Sequence, residues 1–311
     1  MLKQILLTVT GASLMFAAVN YSYDAAGRLT KIDYGTNGSI NYTYDKAGNL
    51  LSRTVVASAA SGSVITSVNT SGSPASAGIA QNTWTEIKGV NLVPATAPAA
   101  GVIWSTAPSF AQGQMPTQIG GVSVTVNGKP AYVYYYCSAV TSACAADQVN
   151  VLSPLDSTTG PVQIVVTSGT ASSAPFTVTM NPNVPSFFLF SGSYVVATHA
   201  NQSLLGPTTL YPGLSTPAAK NEVIVLWGTG FGLPSTGVTL GSSSQGGSLP
   251  VLPVCKIGSD NAPVAFAGLV GPGLFQVNLT VPGTAATTGD RAVVCTYNGA
   301  GSPATDLVTA Q

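Results

Sequence analysis

The sequence predicts an all-β chain: two consecutive β-sandwiches behind a short N-terminal hairpin segment. Three observations carry this. Glycine (34) and proline (21) are abundant, and turn signals recur roughly every eight to twelve residues, as in short-stranded all-β folds. Apolar and polar residues alternate with period two, the signature of half-buried strands rather than helices. Whole blocks of strand-like sequence also return later in the chain in the same order. With 45% hydrophobic residues the chain has enough apolar surface to build cores. Only 6% is charged, the formal net charge is zero and no basic patch stands out, which excludes nucleic acid as a partner.

Residues 1–19 combine one lysine with an apolar run from Ile5 to Val19. That run is short for a membrane span and suits a signal peptide, leaving a mature chain from about Asn20 with no membrane span. The alternative is a buried first strand through Leu7 and Val9. Export predicts an extracellular or cell-surface location.

"YSYDAAGRL" at 21–29 returns as "YTYDKAGNL" at 42–50. Tyr21/Tyr23 and Tyr42/Tyr44 alternate along strands, Asp24 and Asp45 open turns, and Gly27 and Gly48 supply the positive φ those turns need. The pattern resembles the YD repeat of the RHS family, which builds β-shells from many such units. Only two units stand here, over residues 21–55, so the resemblance implies a small hairpin sheet. The YD segment is placed at 20–56 and a small-residue linker at 57–63.

Beyond it three blocks are duplicated. "NTWTEIKGVNLVP" at 82–94 returns as "NEVIVLWGTGFGLP" at 221–234, "DQVNVLSP" at 147–154 as "FQVNLTVP" at 275–282, and "STTGPVQIVVTSG" at 157–169 as "ATTGDRAVVCTYNG" at 286–299. The two units are bounded at 64–181 and 182–311, with "PSFFLF" at 185–190 read as the strand that joins them and fills their interface. The glycines of "VLWGTGFGLP" do not form a dinucleotide loop. Leu233 stands where the third glycine belongs, and Pro234 with the segment after it cannot start the required helix. Gly89 and Asn91 answer to Gly228 and Gly230, which predicts a strand bent through positive φ.

This G-x-[GN]-[FL] element, followed by "VTVNGKPA" and a "QVNV" strand, resembles the IPT/TIG immunoglobulin-like domain. "MPTQIGGVSVTVNGKPAYVYYY", "YVVATHANQSLLGP", "LYPG" and "GPGLFQVNLTVP" are also similar to an uncharacterised C-terminal region of secreted Solibacter-type bacterial proteins. The resemblance implies tandem immunoglobulin-like (IPT/TIG-like) β-sandwiches and export. It implies no activity.

Four cysteines in an exported chain point to two disulfides, Cys137–Cys144 across a small polar loop and Cys255–Cys295 between two strand-like runs. Neither pair has metal-ligand spacing, and there is one histidine, so no metal site or cofactor is expected. His199, beside a hairpin turn, reads as a surface residue. The ten acids are scattered, no catalytic residue stands out, and the chain is expected not to be an enzyme. Tyr132, Tyr134 and Tyr136 of "AYVYYYC" share one strand face at period two and form the candidate binding surface. Such a row either docks a ligand or packs under the long 93–121 loop with Trp104 and Phe110. Two function classes follow. The first is a secreted structural or adhesive protein that associates with itself or with other surface proteins, in fibres or a surface layer. The alternative is a carbohydrate-binding module for polysaccharide.

Overall fold

The computed structural model describes residues 19–34, 38–57, 62–72, 78–142, 144–284 and 288–311. The expected signal peptide, save Val19, lies outside the described residues, as does most of the 57–63 linker. The chain divides into two units, Met1–Ser61 and Gly62–Gln311.

In the first unit, strands Asn20–Tyr23, Leu29–Asp33, Gly38–Tyr44 and Leu50–Ala57 form one antiparallel sheet in chain order. The sequence repeat is a repeat of geometry. Asp24 Oδ1 accepts the N–H groups of Ala26 and Arg28 at 3.0 and 2.9 Å; Asp45 Oδ1 accepts those of Ala47 and Asn49 at 2.9 and 2.8 Å. Gly27 and Gly48 follow at φ +78° and +93°. Hydrogen bonding holds both carboxyls below their ordinary value, led by the Arg28 N–H at Asp24 and by the Asn49 side chain at Asp45. Arg28 joins the copies. It bonds Asp24 Oδ2 at 2.7 Å, donates to the Asp45 carbonyl at 3.1 Å, and lies 4.9 Å from the centre of the Tyr44 ring.

The second unit contains two β-sandwiches. In the first, strands Val64–Thr70, Trp84–Val90, Asp147–Leu152, Tyr132–Cys137 and Val102–Ile103 pair in that order. They pack on a sheet centred on Val122–Val126 and Gly160–Ser168, with Phe176–Met180 beside the latter. The alternating residues Ile87, Val149, Val151, Val122, Val126 and Ile164 are fully buried between the sheets, as period-two patterning requires. In the second sandwich, Ala197–His199, Val223–Thr229, Leu274–Thr280 and Val264–Gly271 form the centre of one sheet, and Val254–Ile257 pairs with Gly289–Tyr297 in the other. Phe187, Phe231, Phe275, Ile224, Leu226 and Val277 fill its core. A 3-10 turn, Trp104–Thr106, and a one-turn helix, Pro108–Ala111, interrupt the 93–121 loop.

Strand pairing repeats with the sequence. Gly89, Lys88 and Glu86 face Asp147, Gln148 and Asn150; Gly228, Trp227 and Val225 face Phe275, Gln276 and Asn278. The glycine expectation is corrected in one respect. Positive φ belongs to the second position of each pair, Asn91 (+54°) and Gly230 (+80°), not to Gly89 or Gly228. The first position is glycine because a neighbouring backbone comes too close for a Cβ, which would strike the Val64 carbonyl at Gly89 and the Ser186 carbonyl at Gly228.

Both disulfides are present, Cys137–Cys144 and Cys255–Cys295; Cys255 and Cys295 are direct cross-strand partners in the second core. "PSFFLF" splits between two roles. Phe187 belongs to the second core beside Phe231, and Leu189 packs against that core while lining the cleft toward the first sandwich. Phe188 turns toward the first sandwich.

Candidate functional site

The outward face of strand Trp84–Val90 carries Trp84, Glu86 and Lys88, because Thr85 and Ile87 take the inward positions. Asn150 lies opposite Glu86 on the neighbouring strand, and its side-chain oxygen accepts a hydrogen bond from Gln148 Nε2 at 2.9 Å. Lys88 Nζ sits 2.7 Å from Glu86 Oε1, so this face presents a paired charge and two amides.

Tyr134 reaches the same face through a break in alternation. Val133 pairs with Val151 and Tyr135 with Asn150, leaving Tyr134 as the extra residue of a bulge. The expected Tyr132–Tyr134–Tyr136 row is therefore not one surface. Tyr136, 3% exposed, fills the first core, and Tyr132, 8% exposed, packs near Gly241 of the second sandwich. Burial pushes both phenols above their ordinary value, with the Gly241 backbone acting in the opposite direction at Tyr132. Tyr134 alone stays half-buried, and it packs against Trp104 of the 93–121 loop as one of the two sequence alternatives had it.

Trp84, missed in the sequence reading, completes the group. Its ring stands edge-on to Tyr134 at 5.0 Å and to Trp104 at 5.4 Å; Trp104 stands edge-on to Tyr134 at 4.9 Å and stacks on Phe110 at 4.8 Å. Edge-to-face packing is a favoured aromatic geometry. Trp104 is buried at 9% exposure and backs Trp84 and Tyr134, which stay partly exposed. The only hint of Trp84 in the sequence was its outward place in an alternating strand.

The three aromatics, Glu86 and Asn150 form one wall of a cleft of about 580 Å³. Phe188, Leu189 and the Gly271–Leu274 turn of the second sandwich form the other. The walls are held in register by direct bonds. Trp84 N–H donates to Thr229 Oγ1 at 3.1 Å, the Thr229 hydroxyl donates to the Gly273 carbonyl at 2.8 Å, and buried Asn82 Nδ2 donates to Gln245 Oε1 at 3.0 Å. Gly273 has φ +61°, and a Cβ there would strike Leu152 and crowd Trp84. The cleft mouth has mixed aromatic, amide and carboxylate character. Such a surface can stack on the apolar face of a sugar ring while bonding its hydroxyls.

Other polar groups serve the scaffold. Asp147 accepts the N–H groups of Leu92 and Ala139 at 2.9 and 2.8 Å. Asp156 accepts from Asn127, Thr158 and Lys129. His199 is not the free surface residue expected: its side chain is 12% exposed. Its Nδ1 lies 2.6 Å from Glu222 Oε1 and its Nε2 3.0 Å from Thr216 Oγ1, so the ring clasps two neighbouring segments. Among the described residues, no group of three or more His, Cys, Asp or Glu is placed to hold a metal ion. Nor is any helix there long and apolar enough to cross a membrane.

The RHS repeat family model matches residues 23–61, so the N-terminal segment is similar to that repeat. No curated protein matches the sequence. Among solved structures the chain is similar to SGBP-B of the Bacteroides ovatus mixed-linkage glucan utilization locus, determined in complex with a mixed-linkage heptasaccharide. Identity is 10%, the TM-score 0.32, and the match covers 90% of this chain and 53% of that one. It is also similar to SGBP-B from a complex xyloglucan utilization locus in Bacteroides uniformis, at 14% identity and TM-score 0.23, covering 77% of this chain and 47% of that one. A third similarity is to domains 4–9 of the surface layer protein SbsC, at 11% identity and TM-score 0.19, covering 90% and 43%. The chain spans about half the length of these structures.

Proposed function

We propose that residues 62–311 are a non-enzymatic binding module of an extracellular or cell-surface protein, and that its cleft takes carbohydrate. The observation that carries the reading is the wall of Trp84, Trp104 and Tyr134 beside Glu86 and Asn150. Sugar rings present an apolar face and a rim of hydroxyls, and this wall offers partners for both. The non-enzymatic reading is supported by what the acids do: Asp147 and Asp156 tie loops, Glu86 pairs with Lys88, and Glu222 holds His199. We assign the two sandwiches to the IPT/TIG-like class at 64–181 and 182–311, with residues 1–19 removed on export. Two disulfides support the oxidising location.

Pull-down on a panel of insoluble and immobilised neutral polysaccharides tests the reading. The full chain is expected to be retained, and Trp84→Ala or Tyr134→Ala to release it. Retention unaffected by either substitution would exclude this cleft.

A second reading, a structural protein that associates with itself, is favoured by the YD sheet. Its outer strands, Asn20–Tyr23 and Leu50–Ala57, each pair on one side among the described residues. They expose Tyr21 (56%), Tyr23 (61%), Leu51 (67%) and Val55 (60%). Such edges invite lateral pairing. Sedimentation across a concentration series and negative-stain microscopy check this; a monomer at every concentration removes it.

A further inference from the structure

The outward residues of strand Leu274–Thr280 belong to two recesses. Leu274 closes the aromatic cleft, and the next two outward positions, Gln276 and Asn278, lie in a second recess of about 550 Å³ walled by Trp227 and His199. We propose that the two recesses are one continuous track, and that its occupant is a long, linear, uncharged polysaccharide lying along both. The inference rests on the carbohydrate reading and extends it from one cleft to an extended chain.

Continuity comes from strand geometry. Alternate residues of a strand point to one side about 7 Å apart, so Leu274 and Gln276 are adjacent steps on one floor. Across the sheet, Phe188 of the first recess donates its N–H to the Trp227 carbonyl at 3.0 Å, which sets the walls side by side as well.

The chemistry repeats too. Gln276 Nε2 donates to Asn278 Oδ1 at 2.8 Å, the same pairing that Gln148 makes with Asn150 at 2.9 Å. Each pair engages one N–H and one carbonyl, leaving amide hydrogens of Asn150 at the first recess, and the Gln276 carbonyl and amide hydrogens of Asn278 at the second, to bond hydroxyls. Because the amides already hold each other, little rotamer freedom remains to be lost on binding. Each recess also has a tryptophan, but at different repeat positions. By strand pairing Trp227 corresponds to Lys88, and Trp84 to Val223. The recesses are therefore similar and not identical.

Charge selects the occupant. Glu86 is paired with Lys88, and both Glu222 oxygens are taken up by His199 Nδ1 and the Ala219 N–H outside the recess lining, so neither recess presents a free charge to an anionic or cationic polymer. A peptide adding as a strand needs an open edge, whereas the floor strand is paired on both sides, with Val223–Thr229 and Val264–Gly271.

The test uses the full chain, the polysaccharide retained in the pull-down, and short and long oligosaccharides cut from it, titrated calorimetrically. The long oligosaccharide is expected to bind with a stoichiometry of one and about tenfold or more tighter than the short one. Trp227→Ala and Asn278→Ala should each remove most of that gain, about tenfold, and leave the short oligosaccharide's affinity in the Trp84 cleft unchanged. Asn278→Ala, a surface change, serves if Trp227→Ala fails to fold. Affinity independent of length, two molecules bound per chain, or no effect of either variant while Trp84→Ala still abolishes binding would overturn the track and leave the single cleft standing. Retention of none of the polysaccharides would overturn both.

Discussion

Trp84 of the first sandwich gives its backbone N–H to the hydroxyl of Thr229 in the second, 3.1 Å away, and Thr229 is fully buried. The same hydroxyl donates to the Gly273 carbonyl. One side chain thus satisfies two backbone groups from opposite walls of the cleft. Thr229→Val keeps the shape and removes both bonds. A loss of about 1–3 kcal/mol in denaturant unfolding is expected, together with weaker polysaccharide retention. Unchanged stability would show that the hydroxyl is dispensable.

Gly228 lacks room for a side chain because the Ser186 carbonyl occupies the place of a Cβ. Gly228→Ala should destabilise by about 1–3 kcal/mol, the usual range for overpacking. Gly27→Ala, whose Cβ would meet open space, is strained only through its positive φ. The two variants separate crowding from backbone conformation in thermal unfolding.

Asp156 supplies an acid-sensitive contact. Desolvation acts to raise its pKa, but is outweighed by hydrogen bonds from Asn127 (2.9 Å) and the Thr158 hydroxyl (2.8 Å), with Lys129 at 3.1 Å, so the carboxyl sits well below its ordinary value. A depressed folded-state pKa means stability that is complete above the unfolded value of about 4 and lost as pH falls through the folded one. Unfolding free energy should therefore decline below about pH 4. Asp156→Asn should be less stable at neutral pH and decline less steeply in acid; parallel curves for the two proteins would refute this.

The Cys255–Cys295 bridge spans 40 residues and Cys137–Cys144 seven. Loop-closure entropy makes the first the larger contributor, within about 2–4 kcal/mol. Paired replacement by alanine at 255 and 295 should lower the unfolding midpoint more than replacement at 137 and 144. Non-reducing peptide mapping that finds crossed pairs would contradict the assignment.

Arg28 links the two YD copies through Asp24, the Asp45 carbonyl and the Tyr44 ring. Arg28→Ala should speed amide exchange across Gly38–Tyr44, because it removes the contacts that join the two copies. Exchange in Val223–Thr229 should stay as it was.

The sequence by itself determined what depends on neighbours along the chain. Alternation at Val149/Val151 and Val277/Leu279 placed the inward faces, because strand side chains alternate whatever the strand packs on. The Asp-x-x-Gly turns of the YD copies were legible because each is closed by its own residues. The cross-strand partners of Gly89 and Gly228 repeated because their blocks repeat. Tertiary structure decided the rest. The bulge at Tyr134 depends on pairing with a strand that begins at Asp147, and it turned an apparent tyrosine row into one cleft residue and two buried ones. The cleft joins Trp84, Trp104 and Tyr134 to Phe188 and Leu274, residues far apart in sequence. Their meeting is set by how two sandwiches dock, an outcome of the Thr229, Asn82 and Gly273 contacts and of no local pattern.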